Sequence, residues 1–117
     1  MCSSDLVLAR AQELRTANPD DPRFKMIQGV AYQIINDPEN ALAWLREAAN
    51  RTNTDWKFVK ILMQQFDNAG EFDESLKLLE RVADQRTDDI VIQRTYLQRL
   101  WQTGTLSKVV EIGRAHV

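Results

Sequence analysis

Few residues in this chain are of the types that carry chemistry. It has one Cys and one His, Cys2 and His116, at opposite ends of 117 residues. A single Cys excludes an internal disulfide and any multi-cysteine metal site, and if neither terminal residue is native, the commonest nucleophile–base pairs and zinc sites cannot be built. The acidic pairs Asp20/Asp21 and Asp88/Asp89 are of a type that performs acid–base work. Each pair precedes a predicted helix, however, where a carboxylate caps free amides and is favoured by the helix dipole, and capping is the reading taken. The four Gly are isolated, so no loop can cradle a phosphate. Arg81, Arg86, Arg94 and Arg99 form the only basic concentration. Asp84, Asp88 and Asp89 are interspersed among them, which describes a solvated surface rather than a nucleic-acid patch. No catalytic residue, metal ligand or cofactor is expected.

Function must then come from shape. The length fits one domain. A composition of 44% hydrophobic and 27% charged residues is that of an ordinary globular protein. A net charge of −2 gives no electrostatic reason to expect nucleic acid or an anionic membrane. No apolar run approaches the roughly 18 residues that insertion into a bilayer needs.

Both termini read as something other than native protein. Codons for Cys2–Leu6 and for Glu111–Val117 can be written as a widely used sequencing adapter in its two orientations. Residues 1–6 and 111–117 are therefore expected to be translated adapter, which would leave neither Cys nor His in the native segment.

The elements follow from hydrophobic spacing. Over Trp56–Asp89, the residues Phe58, Val59, Leu62, Met63 and Phe66 recur at helical intervals before a break at Asn68-Ala69-Gly70. Phe72, Leu76, Leu79 and Val82 do so after it. Shifting this unit by 34 residues brings Gly29, Met63 and Leu97 into line, then Tyr32, Phe66 and Leu100, and then Asn36, Gly70 and Gly104 at the break. Ala41, Ser75 and Val109 continue the match. A fixed period of this length marks a helical-hairpin array. A first helix is predicted over Leu6–Ala17, with Leu6, Leu8, Ala11, Leu14 and Ala17 as its apolar positions. Asp21-Pro22 and Asp37-Pro38 each start a helix with a cap and a first-turn proline. The second of these helices turns Ala41, Leu42, Trp44, Leu45 and Ala48 inward. Thr54 or Asp55 caps the next helix and Asp88 or Asp89 a later one, and a last short helix is expected from Leu106. A compact antiparallel bundle would use the same amphipathic pattern.

These positions resemble the tetratricopeptide repeat family, whose unit runs W-x2-L-G-x2-Y, then A-x3-F, then Pro. Gly29, Tyr32, Ala41 and Leu45 match their slots in the first full unit, while Lys25 and Gln28 miss the Trp and Leu slots. Leu62, Phe66, Ser75 and Leu79 follow the pattern in the second unit; Tyr96, Leu97, Leu100 and Val109 keep only size and apolarity in the third. The resemblance implies an all-α, right-handed superhelical solenoid of antiparallel hairpins forming a single array. In that array 7–21 is the orphan second helix of a preceding repeat, 22–55 and 56–89 are full repeats, and 90–117 is truncated.

The family binds partners in a concave groove lined by the first helix of each hairpin. The resemblance places Met26, Val30 and Gln33 there from the first unit, with Arg23 and Ile34 beside them. Lys57, Lys60 and Gln64 come from the second, with Asp67 and Asn68. Arg94, Gln98 and Trp101 come from the third, with Val91 and Gln102. Such a lining suits an extended peptide with acidic and apolar positions, with Trp101 and Arg94 as anchors. The family's carboxylate clamp is not expected, because its positions hold Met26, Val30, Ile61, Val91 and Thr95. The implied function is a non-catalytic protein-interaction scaffold. Alternatives within the resemblance are a periplasmic scaffold of a bacterial secretion or exopolysaccharide-export protein and the regulatory domain of a larger enzyme. The expected partner is a protein or peptide, with no nucleic acid and no membrane insertion. Open apolar faces at Leu8, Leu14, Val109 and Val110 would make the isolated segment self-associate.

Overall fold

The computed structural model of the chain describes residues 3–51 and 55–102. Within them the protein is all-helical: α1 (Ser3–Ala17), α2 (Pro22–Ile34), α3 (Pro38–Arg51), α4 (Trp56–Asn68), α5 (Phe72–Gln85) and α6 (Ile90–Gln102). The expected helix from Leu106 and the Thr54 cap lie outside the described residues. None of the described helices is long and apolar enough to cross a membrane.

Local chemistry sets the helix boundaries. Asp21, Asp55 and Asp89 each accept a hydrogen bond from the backbone N–H two residues on, at 3.0, 3.1 and 3.1 Å. Each thereby satisfies an amide that the first helical turn leaves free. Asp37 does the same for the N–H of Asn40 at 3.3 Å. Pro22 and Pro38 occupy first-turn positions where a missing N–H costs nothing. The turns after α2 and α4 share one geometry. Asn36 and Gly70 both lie in the left-handed region, with φ of 62° and 77°. The N–H of Asp37 then reaches back to the Tyr32 carbonyl at 2.9 Å, and that of Glu71 to the Phe66 carbonyl at 2.8 Å. Asn and Gly are the residues that adopt this conformation at least cost.

The chain forms two compact units that divide after Ser75. In the first, α2 packs against α1, α3 and α4, and α3 also meets α4. Its core holds Ala11, Ala31, Ala41, Leu45, Ala48, Phe58, Val59, Leu62, Met63 and Phe66. α2 and α3 approach closely at Gly29, where a Cβ would stand 3.0 Å from Leu45 Cγ and 3.1 Å from the Ala41 carbonyl. Of the positions expected to face inward on α3, Leu42 and Trp44 are only half-buried. On α1 only Ala11 is buried; Leu8 and Leu14 are half-buried, while Leu6 and Ala17 are exposed.

The second unit contains the rest of α5 and α6, with Leu78, Leu79, Val82, Ala83, Ile92, Tyr96 and Leu100 buried. Phe72, expected on the apolar face of α5, is 53% exposed: it occupies the helix's first residue, ahead of the turns that carry the buried stripe. The end of α5 is closed by a side chain of α6, since Gln93 Nε2 donates to the Ala83 carbonyl at 2.7 Å and to the Arg86 carbonyl at 3.1 Å. Carbonyls in a last turn lack intrahelical donors, so this amide substitutes for them. Gln93→Ala is expected to lower stability by about 1 kcal/mol by leaving the Ala83 carbonyl without this donor, while the Arg86 carbonyl keeps the N–H of Asp89 at 3.2 Å. Urea unfolding followed by helical circular dichroism measures this, and an unchanged midpoint would show that water replaces the amide.

Candidate functional site

The face assigned to partner binding is clearest on α4. Lys57, Lys60 and Gln64 are exposed, at intervals of about one and two turns, while Phe58, Val59, Leu62, Met63 and Phe66 are buried. The Lys60 ammonium lies 5.9 Å from the centroid of the Trp56 ring, within reach of a cation–π contact. Ile61 adds an apolar surface that is 47% exposed. The α4 surface therefore presents two ammonium groups, an amide and an aliphatic side chain on a helix held from behind by its core.

The α2 positions fare differently. Met26 is buried, so it is part of the packing and not of an accessible lining. It sits one turn before Val30 on the side of α2 that meets neighbouring helices. Val30 is half-buried and lines an apolar hollow of about 460 Å³ between α1 and α2, together with Leu6, Leu14, Ile27 and Ile34. Gln33 is half-buried as well, and its Nε2 donates to the Gln65 carbonyl at 3.2 Å, tying α2 to α4. Gln33 also lines a second hollow of about 460 Å³ with Asn36, Asp37, Ala41 and Asn68. On α6, Arg94, Gln98 and Trp101 are exposed, with Trp101 keeping 66% of its surface. They belong to the second unit.

Sequence reading passed over a cluster at the junction of α1, α2 and α3. Lys25 and Gln28, which depart from the family pattern, are both buried. Gln28 Oε1 accepts a hydrogen bond from Arg15 Nε at 3.4 Å, and the Arg15 guanidinium lies 4.7 Å from the Trp44 ring centroid. The Lys25 ammonium is 5.7 Å from the same centroid and 3.9 Å from Glu47 Oε1. The signal available beforehand was a lysine and a glutamine at two interior positions of a helical pattern. Nothing in the spacing named the Trp and Glu on another helix that accommodate them.

An ion pair closes the start of α2. Asp21 binds the Arg23 side chain through three contacts of 2.6–3.1 Å. The hydrogen bonds from that side chain, helped by the backbone N–H of Arg23, hold the Asp21 carboxyl below its ordinary 3.8 against the opposing effect of burial. The Arg23 guanidinium is correspondingly raised, first by the hydrogen bond to Asp21. A carboxyl with a lowered folded-state pKa contributes stability above its unfolded pKa and loses it as pH falls through the folded value. Relative to Asp21→Asn, the wild-type chain is expected to be more stable at neutral pH, with the difference vanishing as pH drops below about 4. Arg23 keeps 67% of its side-chain surface, so solvent screens the pair and the difference is small. Paired thermal melts of the two chains between neutral and acidic pH measure it, and a difference that grew on acidification would be inconsistent with the pairing.

No family model matches the chain, and no curated protein matches it.

Proposed function

We propose that the chain is a tetratricopeptide-like array of helical hairpins that acts as a non-catalytic scaffold, binding an extended protein segment with acidic and apolar positions. The observation that carries this reading is recurrence. The caps Asp21, Asp55 and Asp89 stand 34 residues apart, as do the left-handed turn residues Asn36 and Gly70. The turn bonds from Asp37 to Tyr32 and from Glu71 to Phe66 keep the same interval. Repeated local geometry at a fixed period is what a stack of equivalent hairpins requires. Support for the binding role comes from α4, whose exposed face carries Lys57, Lys60 and Gln64 on a helix anchored by a buried opposite face. A helix backbone already held by its core presents these groups at a fixed spacing before any partner arrives. Peptide-display selection against the immobilised chain tests the reading. Selected peptides are expected to alternate Asp or Glu with Leu, Ile or Phe and to bind at least tenfold more weakly to Lys57→Glu and Lys60→Glu. Lys77→Glu on α5 is expected to leave binding unchanged. Failure to enrich any peptide, or enrichment of peptides indifferent to the α4 substitutions, would remove the basis for this face.

A further inference from the structure

The cluster around Trp44 has more positive charge than its own carboxylate can satisfy. Lys25 is 9% exposed, yet its ammonium comes no nearer than 3.9 Å to Glu47 Oε1, an ion-pair separation too long for a hydrogen bond. That same Glu47 oxygen accepts a hydrogen bond from Arg51 Nε at 3.2 Å. Arg15 uses its Nε on Gln28, and its two terminal nitrogens meet no acceptor among the described residues. Two cations, Lys25 and Arg51, thus share one carboxylate, and a third, Arg15, lies against the same indole ring as Lys25. No fully enclosed side-chain nitrogen among the described residues lacks a hydrogen-bond partner, so the Lys25 ammonium reaches solvent at its own edge, where an anion would give it the close acceptor that Glu47 does not. Space for one exists, since a pocket of about 280 Å³ opens beside the cluster and is lined by Lys25, Ala43, Trp44 and Glu47.

We propose that this pocket is a carboxylate-binding site that receives an Asp or Glu side chain of a protein partner. The carboxylate accepts hydrogen bonds from Lys25 Nζ, and its charge is further stabilised by Arg15 at the same indole. The Ala43 methyl and the Trp44 ring supply an apolar wall for the methylenes of the incoming side chain. A single negative charge fits better than a phosphate dianion because Glu47 also lines the pocket and repels added charge. None of these residues belongs to the α4 face, so this site stands or falls independently of that reading.

The test uses the full chain carrying Trp56→Phe and Trp101→Phe, which leaves Trp44 as the only tryptophan reporter of the three present. Capped tetraglutamate is titrated at fixed ionic strength, with capped tetraglutamine and inorganic phosphate in parallel. Tetraglutamate is expected to change Trp44 emission saturably, and tetraglutamine not at all. Lys25→Met is expected to weaken binding at least tenfold, and Arg15→Gln several-fold. Glu47→Gln is expected to strengthen it, because the competing carboxylate is gone; an ion pair with a purely structural role predicts no such gain. Helical circular dichroism accompanies each variant, and if Lys25→Met loses its fold, the opposite effects of Arg15→Gln and Glu47→Gln decide the matter. Absence of a saturable response, a response indifferent to these substitutions, or equal or tighter binding of phosphate overturns the proposal.

Discussion

Phe66→Ala is expected to lower the unfolding free energy of the chain by about 3–5 kcal/mol, the range for removing a fully buried phenyl ring. Phe66 has no exposed surface, and Val59, Leu62 and Leu45 in the same unit are equally enclosed. Side chains already held on all sides cannot move into the space the ring leaves, so the substitution loses its transfer free energy and creates a cavity as well. The residue also anchors the turn into α5: its carbonyl accepts from the N–H of Ala69 at 3.1 Å and of Glu71 at 2.8 Å. Loosening this end of α4 would add to the loss. A domain has only about 5–15 kcal/mol of net stability, so an effect of this size leaves a substantial unfolded population near physiological temperature. Phe72→Ala is the matched control, with the same atoms removed from a side chain that is 53% exposed. It is expected to cost no more than about 1 kcal/mol, as most substitutions at exposed positions do. Urea denaturation of both variants measures the contrast, and equal losses would place Phe66 outside the core.

The second large effect concerns the approach of α2 to α3. Gly29→Leu is expected to destabilise by about 3 kcal/mol, at the upper end of the overpacking range. The first added carbon already meets Leu45 Cγ and Cδ2 at 3.0 Å and the Ala41 carbonyl at 3.1 Å. Leu45 is fully buried and cannot swing aside, and the carbonyl is backbone. Alanine is a finer case. Its helix propensity exceeds that of glycine by about 1 kcal/mol, which opposes the tight contact, and the sign depends on whether α3 yields by a few tenths of an ångström. Leucine has no such escape. A double-mutant cycle isolates the contact: Leu45→Ala is expected to be milder by at least about 1 kcal/mol when Gly29 is already Leu, because it opens room for the new side chain. Strict additivity would mean that the destabilisation arises elsewhere.

How much of this was legible beforehand depends on the range of the interaction. Helix ends were readable because caps and turn residues act within three or four positions; Asp21-Pro22, Asp37-Pro38, Asn36 and Gly70 each specify a backbone conformation with no distant partner. Where two neighbouring candidates offered, the structure chooses Asp55 and Asp89, whose carboxylates accept the free amides. Faces were readable only as faces. Periodicity marked Phe72 as an apolar position and the family resemblance placed Met26 on the groove, but neither carried information on how far the adjoining helices extend to cover them; Phe72 is exposed and Met26 buried. The buried Lys25 and Gln28 were the least legible. Their accommodation depends on Arg15, Trp44 and Glu47, which are distant in sequence and reach them only through the packing of α1, α2 and α3.

The enclosure of Lys25 also turns one amine of this chain into a clock. A reagent that acylates amines must touch the nitrogen, and it does so freely at the exposed Lys57, Lys60 and Lys77. At Lys25 it reaches the nitrogen only through the pocket beside Trp44, so the labelling rate there follows access to that pocket and not the intrinsic reactivity of an amine. Mass-resolved labelling against time would then read occupancy of this pocket from the intact, unmutated protein, with the three exposed lysines as the zero of the scale.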